Sequence, residues 1–494
     1  MALTEAQRDV IRHPIKWFKS HGEDEIPRKE LSSMLFGTMG QVVMFGMAGN
    51  WFFHFCTNVL KIDPRVVGQM TGTVAAFDAM VDPVAGTVID SHQFKDGRKL
   101  VPWIRNLAPP CALLSFLLFI NWNFQNTALK VAYCVVIYLV WDTLHSFLNT
   151  SLMGMTAAIS PHSSQRARTA QWMDIGQMIG FFMPELLMPM LQDGGAFGMT
   201  QQRVYMIFAV ILCLGGGFLI LSATGLKERV TAIQGSRSNP FKMIFNVLRH
   251  NHILMLMLLM DLIRCAAPNI NMIYVFQQVN YQWRGRMISG SALVTLLTVL
   301  AGLPGAALKL VAVKVAEKMG GMKRVMIIAT LTDVACRVIT FFIGYNTMAK
   351  IILVYVFETI VQIPWNLYGI AQRALLGDSV DFVEWKTGQR TEGITMSARN
   401  LSMKLGGGLR RLIMGYTLDW LQYDADLVEL KVPQNAHFQR NVWGVFKLGI
   451  AGGAFLSLIP LVLLKYPDTL RQQVESDLAE RRAMAGVAAE AGAE

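Results

Sequence analysis

The chain is a succession of apolar blocks of about twenty residues, the length that an α-helix needs to cross the hydrocarbon core of a membrane. Of its 494 residues, 53% are hydrophobic and only 16% are charged, whereas a soluble protein usually has about a quarter charged residues. We therefore predict an all-α, polytopic membrane protein with the lipid bilayer as its surroundings.

The blocks fall into two sets of six, which predicts twelve transmembrane helices in two halves. The first set covers 31–58, 66–90, 101–121, 127–155, 168–192 and 203–225. The second covers 251–280, 286–316, 322–345, 349–376, 390–421 and 439–465. The predicted domains are a tail at 1–30, an N-terminal half at 31–225, a central loop at 226–250, a C-terminal half at 251–465 and a partly disordered tail at 466–494. This outline is typical of two-half secondary transporters.

Basic residues predict the orientation. They account for the net charge of +11 and are concentrated in short loops between the blocks, among them Arg98, Arg166, Arg168 and Lys323. Because cytoplasmic loops are rich in Lys and Arg, both termini and the central loop are predicted in the cytoplasm and the protein in the cell (inner) membrane. The same pattern explains the positive charge without a nucleic-acid partner.

The motifs of other function classes are absent from the sequence. The six cysteines have no CxxC spacing, which argues against a disulfide framework or a zinc site. The sequence has no nucleophile elbow or phosphate loop, and no sizeable soluble domain to carry one. We expect no enzyme activity and no cofactor, a small-molecule substrate, and a monomer. A receptor or an enzyme is the alternative that this pattern disfavours.

The second predicted helix carries two carboxylates, Asp78 and Asp82, on one face because they are four residues apart. An ionised Asp at bilayer depth is costly and usually faces a cavity or a partner. Two stacked carboxylates repel unless a cation or a proton lies between them. The spacing therefore favours a site for a coupling ion, Na⁺ or H⁺; the alternative is a structural pair neutralised by basic neighbours.

Other polar side chains recur at helical spacing inside the predicted helices of both halves. As candidate substrate-binding residues we select Gln41, Asn50, Trp51, His54, Asp142, His145, Asn149, Trp172, Asp174, Lys404 and Arg411. Asp142 and His145 would suit a proton relay. Lys404 is also a candidate counter-charge for Asp78 and Asp82. The alternative for each set is helix–helix packing or local ion pairing, and the pairs Asp261–Arg264 and Asp333–Arg337 are predicted to neutralise themselves.

Two stretches resemble the glycoside–pentoside–hexuronide:cation symporters, the melibiose permease family of the major facilitator fold. The first is Asp78-Ala79-x-x-Asp82-Pro83-x-x-Gly86 with Asp90 and then Gly97-Arg98. The second is Asp378-x-Val380-Asp381-Phe382-x-Glu384-Trp385-Lys386, followed by Arg390, Glu392 and Lys404-Leu405-Gly406. Phe382 replaces the Tyr of the family pattern. The motifs lie in opposite halves, so the likeness spans the chain.

The resemblance implies Na⁺- or H⁺-coupled uptake of a sugar, glycoside or sugar acid by alternating access. It assigns Asp78 and Asp82 to the cation site, with Lys404 nearby. It also makes Asp378, Asp381, Glu384, Arg390 and Glu392 parts of a cytoplasmic gate of charged residues. From their charges we expect the acids to pair with Arg166 and Arg168 of the first half; the alternative is a solvated charged loop.

The chain departs from the family pattern at its sugar-binding charges. A family Asp of the first helix falls on Gln41, an acid of the fourth helix that the cation and sugar share falls on Asn149, and an Arg of the fifth falls on Asp174. Asn149 is kept as a candidate cation ligand. The cation half of the mechanism therefore transfers better than the sugar half. An alternative cargo within the same fold is an amphiphile such as a lysophospholipid.

Overall fold

The structure is a computed structural model. It describes residues 26–92, 94, 97–160, 163–192, 200–229, 245, 248–249, 251–277, 279–294, 322–387, 392–430, 432–467, 469–474, 476–478 and 480–481. Most of the N-terminal tail and the central loop lie outside these residues, as do Arg390 and the greater part of the predicted eighth helix.

The described part of the first half forms six helical segments. α1 consists of Arg28–Gly46, a π-helical turn at Met47–Trp51 and Phe52–Asn58. α2 is Pro64–Ser91, α3 is Val101–Leu117, α4 is Thr127–Ala158 and α5 is Ser163–Gln192. α6 consists of Gln201–Phe208, a π-helical turn at Ala209–Leu214 and Gly215–Leu221, and a 3₁₀ turn at Ser222–Gly225 follows.

The described part of the second half begins with α7, His252–Cys265, and the short α8, Met272–Phe276. A hairpin of β1, Asn280–Trp283, and β2, Arg286–Ser289, follows. α9 is Met322–Ile343, α10 is Met348–Thr387, α11 is Glu392–Trp420 and α12 is Ala425–Glu429. α13 runs through Ala436–Gly444, Val445–Gly449 and Ile450–Leu456, and α14 is Leu458–Leu463.

Within the described ranges, seven helices are long and apolar enough to cross a membrane. They are Arg28–Asn58, Pro64–Ile89, Thr127–Thr156, Gln202–Gly225, Met322–Ile343, Met348–Lys386 and Ala436–Leu463. α5 and α11, also predicted to span, are more polar because they carry charged residues such as Asp174, Lys404 and Arg411. Lys404 and Arg411 belong to the interior site described below.

The hairpin corrects the predicted boundaries of the seventh and eighth helices, 251–280 and 286–316. Pro268 follows the end of α7 and has no N–H to continue a helical hydrogen-bond ladder. The side chain of Asn271 starts α8 by accepting from the Ile273 N–H at 3.2 Å. Arg284 and Gly285 both have positive φ, 49° and 79°, which suits the tight turn joining β1 to β2.

The two halves meet along α2 and α11, which run antiparallel at very close approach. A Cβ added to Gly68 would lie 3.0 Å from the Gly415 Cα, and one added to Gly72 would lie 3.1 Å from the Gly408 carbonyl oxygen. Small residues allow helix backbones to approach in this way inside a membrane. We call this contact the glycine seam; it consists of Gly68, Gly72, Gly408 and Gly415.

The described part of the C-terminal tail packs against α10. Trp385 Nε1 donates to Asp477 Oδ2 at 2.8 Å, and Arg471 Nε lies 3.5 Å from Asp378 Oδ2. Val474 and Leu478 are buried. Residues 482–494 lie outside the described residues.

Candidate functional site

The most concentrated charge in the contact between the halves is the triad of Asp78, Asp82 and Lys404. Lys404 Nζ lies 2.5 Å from Asp78 Oδ2 and 2.6 Å from Asp82 Oδ1. The glycine seam brings α11 close enough to α2 for this contact. A single ammonium group from the second half therefore bridges two carboxylates of the first.

Ser146 of α4 completes this arrangement. Its Oγ donates to Asp78 Oδ1 at 2.5 Å and accepts from Lys404 Nζ at 3.0 Å. The side chain of Asp78 is only 8% exposed, whereas Asp82 and Lys404 are 27% and 28% exposed. The Asp78 carboxylate is thus enclosed, while the Asp82 carboxylate is partly accessible. Asn149 lies one turn further along α4 and is half-buried.

Asp142 and Arg411 bring a second pair of opposite charges to the contact between the halves. Asp142 of α4 is buried and lies in the electrostatic field of Asp78, Arg411 and Lys404. Tyr138, one turn earlier on α4, lies near both Arg411 and Asp142. A Cβ added to Gly49 would lie 3.8 Å from Arg411 Nη2. Arg411 therefore reaches from α11 to the π-helical turn of α1.

His145 is held by α1 in hydrogen bonding and aromatic stacking. Its Nε2 is 2.9 Å from Gln41 Nε2, and its ring stacks against Phe45 and Trp141 at centroid distances of 5.5 and 5.0 Å. The described hydrogen bonds of His145 do not include one to Asp142, the partner expected for a proton relay. Phe45 is 40% exposed, so this column of rings ends at open space.

Glu185 of α5 is a polar residue of the first half that our selection from the sequence omitted. Asn50 Nδ2 donates to Glu185 Oε1 at 2.8 Å. The π-helical turn of α1 contains Asn50, and Gly46 before it packs against Pro184. A signal existed in the sequence, since an acid beside a proline inside an apolar block is unusual. Of the other α5 candidates, Trp172 is half-buried and Asp174 is exposed.

His54 and Trp51 lie away from these charges. Trp51 is 1% exposed and contacts the His54 ring edge-on at 5.9 Å. His54 Nδ1 is 2.7 Å from the Tyr205 hydroxyl, and its Nε2 is 2.9 Å from Asn58 Nδ2 and 3.1 Å from Gln277 Oε1. In this conformation His54 joins residues of both halves.

The Asn58 end of α1 carries further hydrogen bonds between the halves. The Tyr423 hydroxyl donates to Asn58 Oδ1 at 2.9 Å and accepts from Gln277 Nε2 at 2.7 Å. We call the set His54, Asn58, Gln277 and Tyr423 the polar lock. On the same end, Lys61 Nζ lies 3.0 Å from Asp426 Oδ1 and 3.1 Å from Glu429 Oε2.

The expected gate residues lie at the opposite end of the helices. Arg166 is exposed, whereas Arg168, Asp381 and Glu384 are half-buried. Asp378 is paired with Arg471 of the C-terminal tail. Arg390 lies outside the described residues, as does the side chain of Glu392. A Cβ added to Gly86, beyond Asp82 on α2, meets no described atom within 4 Å, so the Gly86 face of α2 is open after the triad, whereas Ala85 and Ile89 are buried.

The two predicted local ion pairs of the second half differ. Arg337 Nε lies 2.8 Å from Asp333 Oδ1, which confirms the i,i+4 pair. The pairing of Asp261 with Arg264 is corrected, because Asp261 accepts from Gln372 Nε2 at 2.7 and 2.9 Å instead. Arg264 Nη2 turns towards Asp333 Oδ2, at 3.5 Å.

A two-half helical bundle with paired charges at the contact between its halves is typical of polytopic membrane transporters. The family model described as MFS/sugar transport protein matches residues 33–468. The chain belongs to this family, which confirms the resemblance to the glycoside–pentoside–hexuronide symporters and the all-α polytopic fold.

The relatives are distant but extend along nearly the whole chain. The isoprimeverose transporter of Lactiplantibacillus pentosus is 23% identical over 93% of this chain and 92% of its own. The putative sulfoquinovose importer of Salmonella typhimurium is 24% identical over 90% of this chain and 91% of its own. The uncharacterized symporter YjmB of Bacillus subtilis is 26% identical over 82% and 86%.

Solved structures agree on the fold. The nucleoside transporter NupG superposes with a TM-score of 0.56 at 14% identity, covering 89% of this chain and 100% of that one. A bacterial homologue of the human drug peptide transporters PepT1 and PepT2 superposes with a TM-score of 0.56 at 11% identity, covering 92% and 98%. At these identities the likeness concerns the fold alone.

Proposed function

We propose that this chain is a symporter that couples uptake of a sugar, glycoside or sugar acid to Na⁺ or H⁺ by alternating access. The observation that carries the proposal is the contact of Lys404 with both Asp78 and Asp82 across the two halves. The named sugar transporters among the relatives support the cargo class.

The proposed coupling is a competition between Lys404 and the coupling ion for the same two carboxylates. A cation entering from the exposed side of Asp82 would replace the ammonium group and release α11 from α2. Lys404 holds α11 against α2 only while its ammonium group neutralises the two carboxylates. Once the cation neutralises them instead, the halves are free to move. Ser146 would keep Asp78 oriented in both states through its hydrogen bond.

The proposed sugar site lies between α1, α4, α5 and α11. Aromatic rings such as Phe45 present flat apolar faces to a sugar ring, while Asn50, Glu185, Asp142 and Arg411 supply hydrogen-bonding groups. This polar lining supports a hydrophilic cargo better than the alternative amphiphile. We further propose a monomer in the cell (inner) membrane with both termini in the cytoplasm, following the positive-inside pattern.

The proposal is tested by separating coupled accumulation from exchange in proteoliposomes. The probe is a radiolabelled sugar that the wild-type protein accumulates under a Na⁺ or H⁺ gradient. We expect Asp78→Asn and Asp82→Asn to abolish accumulation, because neither variant retains both charges, while exchange of internal for external sugar persists.

The matched control is Asp63→Asn. Asp63 caps α2 by accepting from the Arg65 N–H at 2.7 Å, and Asn caps helices equally well, so accumulation should be retained. Full gradient-driven accumulation by the Asp78→Asn and Asp82→Asn variants would refute the proposed ion site. Replacing the Na⁺ gradient by a pH gradient in the wild type identifies the coupling ion.

A further inference from the structure

A group of arginines in the second half lies outside the ion and sugar sites described above. Arg264 of α7 and Arg399 of α11 both act electrostatically on Asp261. Arg410 of α11 and Arg264 both act on Cys265, which touches Gly406 of α11. We call Arg264, Arg399 and Arg410 the arginine cluster.

The described carboxylates satisfy the arginine cluster only in part, with Arg264 Nη2 at 3.5 Å from Asp333 Oδ2. Both oxygens of Asp261 accept from the neutral amide of Gln372, and the shorter contact of Asp333 is to Arg337. Arg264 Nη1 and Arg399 Nε are buried without a hydrogen-bond partner among the described residues. Leaving charged donors unpaired in a buried site is costly, so the cluster is suited to an anion that comes from outside the chain.

Two aromatic rings fix the orientation of Arg264. Its guanidinium carbon lies 4.3 Å from the centroid of the Tyr368 ring and 5.5 Å from that of Trp365. A guanidinium group held by rings presents its donors in a fixed fork, which matches the oxygens of a carboxylate or sulfonate. Trp365 is 56% exposed, so an apolar ring face is open beside the cluster.

Arg410 is exposed and adjoins Arg411, which connects the cluster to the proposed sugar site.

We propose that the arginine cluster binds the anionic group, a carboxylate or a sulfonate, of the transported sugar. Arg410 makes the first contact, Arg264 and Arg399 supply the deeper donors, and the Trp365 ring covers one face of the sugar. This inference rests on the proposed function and narrows its substrate class to anionic sugars.

The test compares charged and neutral sugars on the purified full-length protein by isothermal titration calorimetry. The probes are D-glucuronate for the carboxylate, sulfoquinovose for the sulfonate and D-glucose as the neutral sugar. We expect the wild type to bind at least one of the two anions at least tenfold more tightly than glucose; which of them binds identifies the anionic group. Arg410→Gln and Arg264→Gln should weaken binding of that anion at least tenfold and leave the affinity for glucose within twofold.

The charge-matched control is Arg440→Gln, which removes an exposed arginine of α13 and should change neither affinity. If Arg264→Gln does not fold, Arg410→Gln alone decides, because Arg410 is exposed and its replacement leaves no buried gap. An unchanged ratio of anion to glucose affinity in Arg410→Gln, or a wild type that binds neither anion, overturns the inference. Gradient-driven accumulation of glucose under the same conditions would leave the proposed symport intact.

Discussion

The spacing of Asp78 and Asp82 was enough to predict that they share a face, because helical periodicity is a local property. The sequence also singled out Lys404 as a candidate counter-charge, and the distances of 2.5 and 2.6 Å confirm the contact. The hydrogen bonds of Ser146 could not be predicted in the same way. They depend on how α4, α2 and α11 pack, which no local pattern specifies.

Ser146 provides a residue-scale prediction. Ser146→Ala removes the donor to Asp78 and the acceptor for Lys404. A hydrogen bond to a charged group contributes about 1.5 kcal/mol, so we expect the apparent affinity for the coupling ion to change about tenfold. The measurement is the ion concentration that gives half-maximal accumulation.

The control for this variant lies on the same helix. The Ser151 hydroxyl is buried without a hydrogen-bond partner among the described residues, so Ser151→Ala should leave the ion dependence unchanged. If Ser146→Ala and the wild type need the same ion concentration for half-maximal accumulation, Ser146 is not part of the ion site.

At the scale of the helices, apolar block length predicted the segments well, and most of the described helices fall close to the predicted boundaries. The hairpin at Asn280–Ser289 was missed because the stretch is polar and charged, and half of it lay in the loop predicted between the blocks 251–280 and 286–316. Its turn signal, Arg284-Gly285, was read as part of a loop. The glycine seam could not be predicted in the same way, because a local run of glycines does not specify which helix it will meet.

Gly415 tests the seam. A Cβ at this position would lie 2.4 Å from the Pro64 carbonyl oxygen and 2.8 Å from the Gly68 Cα, so Gly415→Ala forces α2 and α11 apart. Such overpacking costs about 1–3 kcal/mol. We expect a lower unfolding temperature in detergent and impaired coupling, since Lys404 depends on the seam.

Gly407→Ala is the matched control, because a Cβ at Gly407 meets no described atom within 4 Å. It changes the same residue type on the same helix. Equal unfolding temperatures for Gly415→Ala and the wild type would contradict the close approach of the two helices.

For the whole molecule, the described contacts between the halves run from the polar lock to the triad, and beyond the triad the Gly86 face of α2 is open. On the proposed orientation this is a carrier closed on the outside. His54 was selected from the sequence as a substrate ligand, because polar spacing on one helix cannot distinguish a cavity from a contact with the other half. Gln277 and Tyr423 gave no signal, since their partners are distant in sequence.

Tyr423 tests this state of the carrier. Tyr423→Phe removes the hydroxyl that donates to Asn58 and accepts from Gln277. We expect a larger fraction of the molecules to be open at the end that carries the polar lock. The measurement is the distance distribution between spin labels on exposed positions of the two halves, Gln125→Cys and Val432→Cys, by electron–electron double resonance.

Tyr281→Phe is the control, since the Tyr281 hydroxyl donates to the Tyr345 carbonyl oxygen within the second half. Its distance distribution should match that of the wild type. A Tyr423→Phe protein with an unchanged distribution would show that the polar lock does not hold the halves together.

The triad also has an electrical consequence. Two ionised carboxylates and one ammonium group leave one negative charge when the coupling ion is absent, and none when a monovalent cation is bound. Considered alone, the ion site would then reorient without moving net charge when it is loaded, and it would carry one negative charge outward when it is empty. A membrane potential acts on a full elementary charge with about 2.3 kcal/mol per 100 mV. An inside-negative potential would therefore accelerate the return of the empty carrier, and Lys404 would determine which half of the cycle the cell's voltage drives.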